Sequence, residues 1–133
     1  MKIYAIAALL LLPIMSQGRD RGGKMNCQKF RKGRFEMVSE IGKTIIERND
    51  SVQVEIIPSQ NCTIELHIRW IEECTYELTF SRVIRDPDNN TKDLSRNMVL
   101  TNTITEVIGD TYTQVATSNL FPDKIIYKIS KVK

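Results

Sequence analysis

The chain has 133 residues, room for one domain of ordinary size and not for two. Its formal net charge is +3, too small to imply a polyanion as partner. One histidine and three widely spaced cysteines leave no ligand pair at zinc spacing.

The first stretch, "MKIYAIAALLLLPIMSQG", opens with Lys2, continues with an apolar run from Ile3 to Met15, and closes on small or polar residues. The run is shorter than the about 20 residues a membrane helix needs. It reads as the core of a secretory signal peptide over residues 1–18, cleaved after Ser16 or Gly18; an uncleaved anchor is the alternative. Removing 1–18 leaves 115 residues with a net charge of +2. A domain of that size buries roughly two-thirds of its unfolded surface. The expectation is a soluble exported protein, periplasmic or secreted, with no transmembrane segment in its mature form.

Residues 19–32 form a basic leader, with Gly22-Gly23 in its loose first part. From Gly33 onward the hydrophobic period is two. In "SVQVEI" Val52, Val54 and Ile56 alternate with polar residues. In "TIELHIRW" the set is Ile64, Leu66, Ile68 and Trp70, and in "CTYELTF" it is Cys74, Tyr76, Leu78 and Phe80. Such alternation marks antiparallel strands with one face in a core. Turn signals separate eight candidate strands, at 34–40, 43–48, 51–57, 63–70, 74–83, 97–108, 110–118 and 124–131. Short consecutive turns imply a meander, and eight such strands close into a small barrel that has no exposed edge. The fold class is therefore all-β, an up-and-down meander over residues 33–133, with a two-sheet sandwich as the alternative. The inward set would be Phe35, Met37, Val54, Ile56, Leu66, Ile68, Trp70, Tyr76 and Leu78. It lines a filled core or a ligand cavity, and a barrel of this size admits both.

Three cysteines in an oxidising compartment imply one disulfide and one leftover thiol. Cys62 opens the strand that ends just before Cys74, so the two lie a strand length apart, on the order of 25 Å. A disulfide needs Cα atoms within about 7 Å. Cys27, just ahead of the first strand, can be laid against Cys74. The expected pair is Cys27–Cys74, with Cys62 a free thiol or in an intermolecular bond. A Cys74–His67 catalytic dyad conflicts with parity, since His67 falls on the outward set and a buried thiol without a base is inert.

The run "KFRKGR" offers Lys29, Arg31, Lys32 and Arg34 as a contact for an anionic group. It is equally an ordinary solvated strand edge. No aromatic platform for nucleic acid accompanies it beyond Phe30 and Phe35. The loop "DPDNNTKD" places Asp86, Asp88 and Asn90 at calcium-loop positions, but Thr91 and Asn97 stand where that loop needs glycine and glutamate. It reads as a polar hairpin loop. Asn49, Asn61 and Asn89 begin N-x-S/T sequons. No metal and no cofactor is expected.

Two motifs carry a resemblance: C-x-x-F-x-x-G-x-F at Cys27, Phe30, Gly33 and Phe35, and W-x-x-x-C-x-Y-x-L at Trp70, Cys74, Tyr76 and Leu78. Over about residues 27–80 the chain resembles a group of small exported bacterial proteins of unassigned activity. The resemblance implies an envelope or secreted location. Many members resemble lipoproteins, whereas here no cysteine follows the apolar run until Cys27. Chains of this appearance are sometimes labelled DNA topoisomerase IV, but an exported β-domain of this length cannot hold a tyrosine breakage site, an acidic metal cluster and a DNA gate. Gly33-Arg34-Phe35 also resembles the G-x-W opening of calycins, with phenylalanine for tryptophan, which implies a barrel.

The expected function is non-enzymatic: an envelope protein, binding a small apolar molecule in its barrel. The alternative is an interaction or inhibitor module that uses its loops and basic N-terminal segment on an envelope protein. Were there an enzyme, Glu65, His67 and Glu77 would be the strand-face residues to test.

Overall fold

The computed structural model describes residues 25–133; the expected signal peptide and the leader up to Lys24 lie outside them. Eight strands follow in order: β1 (Gly33–Ser39), β2 (Gly42–Arg48), β3 (Val52–Ile57), β4 (Cys62–Glu72), β5 (Thr75–Arg85), β6 (Val99–Ile108), β7 (Thr111–Ser118) and β8 (Ile125–Val132). Each pairs antiparallel with its neighbour in sequence, and β1 pairs with β8, so the sheet is a closed barrel. Closure satisfies the backbone groups that an open meander would leave at two edges. The longest strands, β4 and β5, carry three register shifts along their ladder. Each inserts a residue and increases local twist, which lets an 11-residue strand bend around a small barrel.

The hairpins follow local chemistry. Gly109 takes φ +62° in the two-residue connection to β7, a left-handed value that costs glycine nothing. Asn49 accepts hydrogen bonds at Oδ1 from the backbone N–H groups of Ser51 (3.0 Å) and Val52 (2.9 Å), an Asx turn that reverses β2 into β3.

A 3-10 turn, Gln28–Phe30, lies under one end of the barrel. Cys27 and Phe30 are fully buried and join Phe35, Ile46, Ile104, Tyr112 and Ile129 in one apolar cluster. Cys27 and Phe30, expected in the basic leader, thus belong to the barrel's core. Apolar residues within a basic leader acquire burial only because the barrel's end stands open to receive them. Gly33 follows this plug at φ +132°, and a Cβ there would come within 2.9 Å of the Lys131 side chain. Lys131 passes over it and donates from Nζ to the Lys29 carbonyl (2.7 Å), fixing the plug to the last strand.

The disulfide joins Cys27 to Cys74, with Cα atoms 5.4 Å apart, as expected from the elimination of Cys62. Cys62 is free and buried.

One strand departs from its expected parity. Val54 and Ile56 do not face the interior; Gln53 and Glu55 do. Arg48 opposes Gln53, Ile46 opposes Glu55, and Leu66 opposes Gln53 from the other side, and Arg48, Ile46, Leu66 and Gln53 are all buried. Val54 instead opposes Glu47 and Glu65 on the outer face. The reason lies on the neighbouring strand: Arg48 is turned inward, and a buried guanidinium must find acceptors. Turning Gln53 inward supplies one of them and Gln53 in turn donates to Glu55, and the β-branched residues of β3 then cover only the half-exposed outer surface.

Candidate functional site: a cavity above a polar floor

The barrel interior divides into two parts. Its lower part is filled. Phe30 and Tyr112 ring centroids lie 4.7 Å apart, and Phe35 meets Tyr112 edge-on at 6.4 Å. Leu66, Ile68, Tyr76 and Leu78 form a second buried cluster, with Trp70 packed 4.7 Å from the Tyr76 ring. Above them opens a cavity of about 480 Å3. Of the nine residues expected inside, Met37, Tyr76 and Leu78 line this cavity. Phe35, Leu66, Ile68 and Trp70 pack in the filled part, and Val54 and Ile56 lie outside.

The floor is a connected polar network. Arg48 donates from Nε to Gln53 Oε1 (2.8 Å) and from Nη1 to the Phe30 carbonyl (2.8 Å). Its Nη2 donates to the hydroxyls of Tyr112 (3.1 Å) and Tyr76 (3.3 Å). The guanidinium also lies 4.6 Å from the Phe35 ring centroid and 4.8 Å from that of Tyr76, where the ring quadrupoles favour a cation. Tyr76 donates in turn to Gln114 Oε1, and Gln114 Nε2 donates to Asn102 Oδ1 (3.1 Å). Burial pushes the Tyr76 hydroxyl well above its ordinary value, so it stays a neutral donor. Such a network fixes the geometry of the interior as well as stabilising it.

Glu55 sits where the floor meets the cavity. Gln53 Nε2 donates to its Oε2 (2.8 Å), and Glu55 lines the cavity wall. Burial pushes its carboxyl up, against the pull of the Gln53 hydrogen bond and the Arg48 charge. Gln53, Glu55 and Arg48 were not legible as site residues. The periodicity of β3 marks its two faces without saying which is inside, and the signal that decides it, Arg48 on the inner face of β2, works only through a neighbouring strand.

The mouth lies between the β5–β6 and β7–β8 connections. Asn119 ties them, accepting from the Val99 N–H (2.7 Å) and donating to the Asn97 carbonyl (3.1 Å). Met98, Phe121 and Ile125 line the opening from these segments, and Phe121 is 60% and Ile125 48% exposed. An apolar rim leading into an apolar pocket is the common form of a small-molecule entrance.

The other candidate residues are dispersed over the surface. Lys29 pairs with Asp110 (3.6 Å) and donates to the Gly109 carbonyl (2.5 Å). Arg31 lies 4.7 Å from the Trp70 ring centroid. Lys32 pairs with Asp50 (3.5 Å), and Arg34 with Glu47. The basic run is thus distributed around the barrel's plugged end, with Lys29, Lys32 and Arg34 matched by acids of the same chain and Arg31 set against an aromatic ring. Glu65, His67 and Glu77 lie on the outer face: Glu65 pairs with Arg82 (3.2 Å), Glu77 with Arg69 (2.7 Å), and His67 is exposed. Asp86 accepts from the Asn90 N–H (2.7 Å) and from the Thr91 N–H (2.8 Å) and hydroxyl (2.7 Å). These bonds hold its carboxyl below the usual range and build a loop. Among the described residues no group of three histidine, cysteine or acidic side chains stands together as a metal site, and no helix is long and apolar enough to cross a membrane. No protein-family model, curated protein or solved structure matches this chain.

Proposed function

We propose that this chain is an exported, non-enzymatic envelope protein that carries a small apolar molecule inside a calycin-like barrel. The observation that carries the reading is the cavity: about 480 Å3, within the roughly 300–1,000 Å3 of small-molecule pockets, apolar over most of its wall and rimmed by exposed Phe121 and Ile125. Export is supported by the signal-like first 18 residues and by the Cys27–Cys74 disulfide, since such bonds persist in oxidising compartments. The alternative interaction module loses support from the basic segment, where Lys29, Lys32 and Arg34 meet Asp110, Asp50 and Glu47. The test pairs native and denaturing mass spectrometry of the protein recovered from its exported fraction with titration by the neutral dye N-phenyl-1-naphthylamine. An excess native mass lost on denaturation, or saturable dye fluorescence at one site per chain, supports the reading. A bare native mass together with no dye binding overturns it.

A further inference from the structure

The ligand's chemical class is written in the charges of the cavity wall, and the inference rests on the ligand-carrier reading above. We propose that the occupant is a lipophilic amine, its ammonium head held by the Glu55 carboxylate and its apolar part lying toward the mouth.

Among the described residues two carboxylates, Glu55 and Asp123, line the cavity, and no lysine, arginine or histidine does. Arg48, the one buried cation among the described residues, lies beneath the cavity. Its Nε, Nη1 and Nη2 are engaged with Gln53, the Phe30 carbonyl and two tyrosine hydroxyls, and aromatic rings cover the guanidinium. It is therefore not presented to a ligand. Glu55 is. Among the described residues Gln53 is its one hydrogen-bonding partner, and that bond goes to Oε2, leaving Oε1 to the cavity. That oxygen is accessible from the cavity, and a ligand that fills the space displaces the water that would otherwise compensate it. An ammonium group supplies that compensation as a charge-assisted hydrogen bond, strengthened by apolar surroundings. The wall around it is apolar, with Met37, Leu78 and Leu100 among its members, and suits a hydrocarbon body. A fatty acid would instead set its carboxylate against Glu55, a like-charge contact that disfavours both ionised forms.

The test is displacement of N-phenyl-1-naphthylamine from the whole protein at pH 7 by decylamine, decanol and decanoate, which share a tail and differ in the head. Decylamine is expected to compete at least about tenfold better than decanol, and decanoate worst, the size of one charge-assisted hydrogen bond over a neutral one. Glu55→Gln keeps an acceptor for Gln53. It should reduce the amine's advantage over decanol to within about threefold without weakening decanol, whereas Asp123→Asn at the mouth should retain most of it. Decanoate equal to or better than decylamine overturns the proposal on the unaltered protein, with no variant needed. Retention of the full amine preference in Glu55→Gln overturns it as well. A protein that binds the dye but prefers the acid refutes only the choice of head group; a protein that binds no dye removes the carrier reading and this inference with it.

Discussion

Replacing both Cys27 and Cys74 by alanine should cost this barrel about 4 kcal/mol. The crosslink spans 47 residues, and a loop of that size restricts the unfolded chain by about 4 kcal/mol at 25 °C in the chain-entropy account. Domains of this kind are stable by about 5–15 kcal/mol, so the loss removes a large share and still leaves a folded protein. The folded state should change little. The plug is also held by Arg48 Nη1 on the Phe30 carbonyl (2.8 Å) and by Lys131 Nζ on the Lys29 carbonyl (2.7 Å), neither of which needs the sulfurs. Urea unfolding followed by tryptophan fluorescence reads the outcome through Trp70. With a slope of about 1–2 kcal/mol/M, the midpoint should fall by about 2–4 M. The slope itself should rise, because the uncrosslinked denatured chain exposes more surface. Near-UV dichroism in the absence of urea should be retained. A midpoint shift below about 0.5 M, or a slope that falls, would refute the argument that the bond acts through the unfolded chain.

Three further outcomes follow from buried polar groups. The Cys62 thiol is buried, and burial together with the Asp86 and Glu55 charges pushes it above its ordinary value; Ellman's reagent should find about one thiol per chain in denaturant and essentially none in the native protein. Arg48→Met removes the donor for Gln53, the Phe30 carbonyl and two tyrosines, and leaves Glu55 without its nearby cation. About 3–5 kcal/mol should be lost in urea titration, and a loss under about 1 kcal/mol would show that the network is dispensable. Glu55 has a folded-state value above its unfolded one, so between the two the folded chain holds a proton that the unfolded chain has released. Its contribution is therefore favourable at low pH and is lost as pH rises through the ordinary carboxylate range to the folded value. Urea midpoints at pH 4 and pH 8 should consequently show Glu55→Gln gaining on the parent protein at the higher pH. Parallel profiles would contradict the sign.

The interior joins two ways of using a small barrel. Below, the aromatic plug and the Arg48 network fill the space and hold the strands in register. Above, Asn102, Gln114 and Ala116 reach the cavity wall from β6 and β7, and these side chains are too short or too committed to each other to fill it. The polar floor closes the cavity from below, and Phe121 and Ile125 stand at its entrance.

Most of the architecture was legible from local sequence. The period-two runs and short turns determined eight strands, their order and their antiparallel sense, because side-chain alternation and turn chemistry act within a few residues. The Cys27–Cys74 pair was also within reach, since strand length alone separates Cys62 from Cys74. Inside and outside on β3 were not. "SVQVEII" has an apolar and a polar set, and burial of the polar one becomes favourable only when Arg48, Tyr76 and Tyr112, brought from three other strands, complete the hydrogen bonds. The same holds for Lys29, Arg31, Lys32 and Arg34, which read as one basic run until folding distributes them to Asp110, Trp70, Asp50 and Glu47. Periodicity reports what each strand offers to its two faces. Which face the barrel encloses, and that a cavity remains there with Glu55 on its wall, depended on contacts between distant strands that only the closed sheet creates.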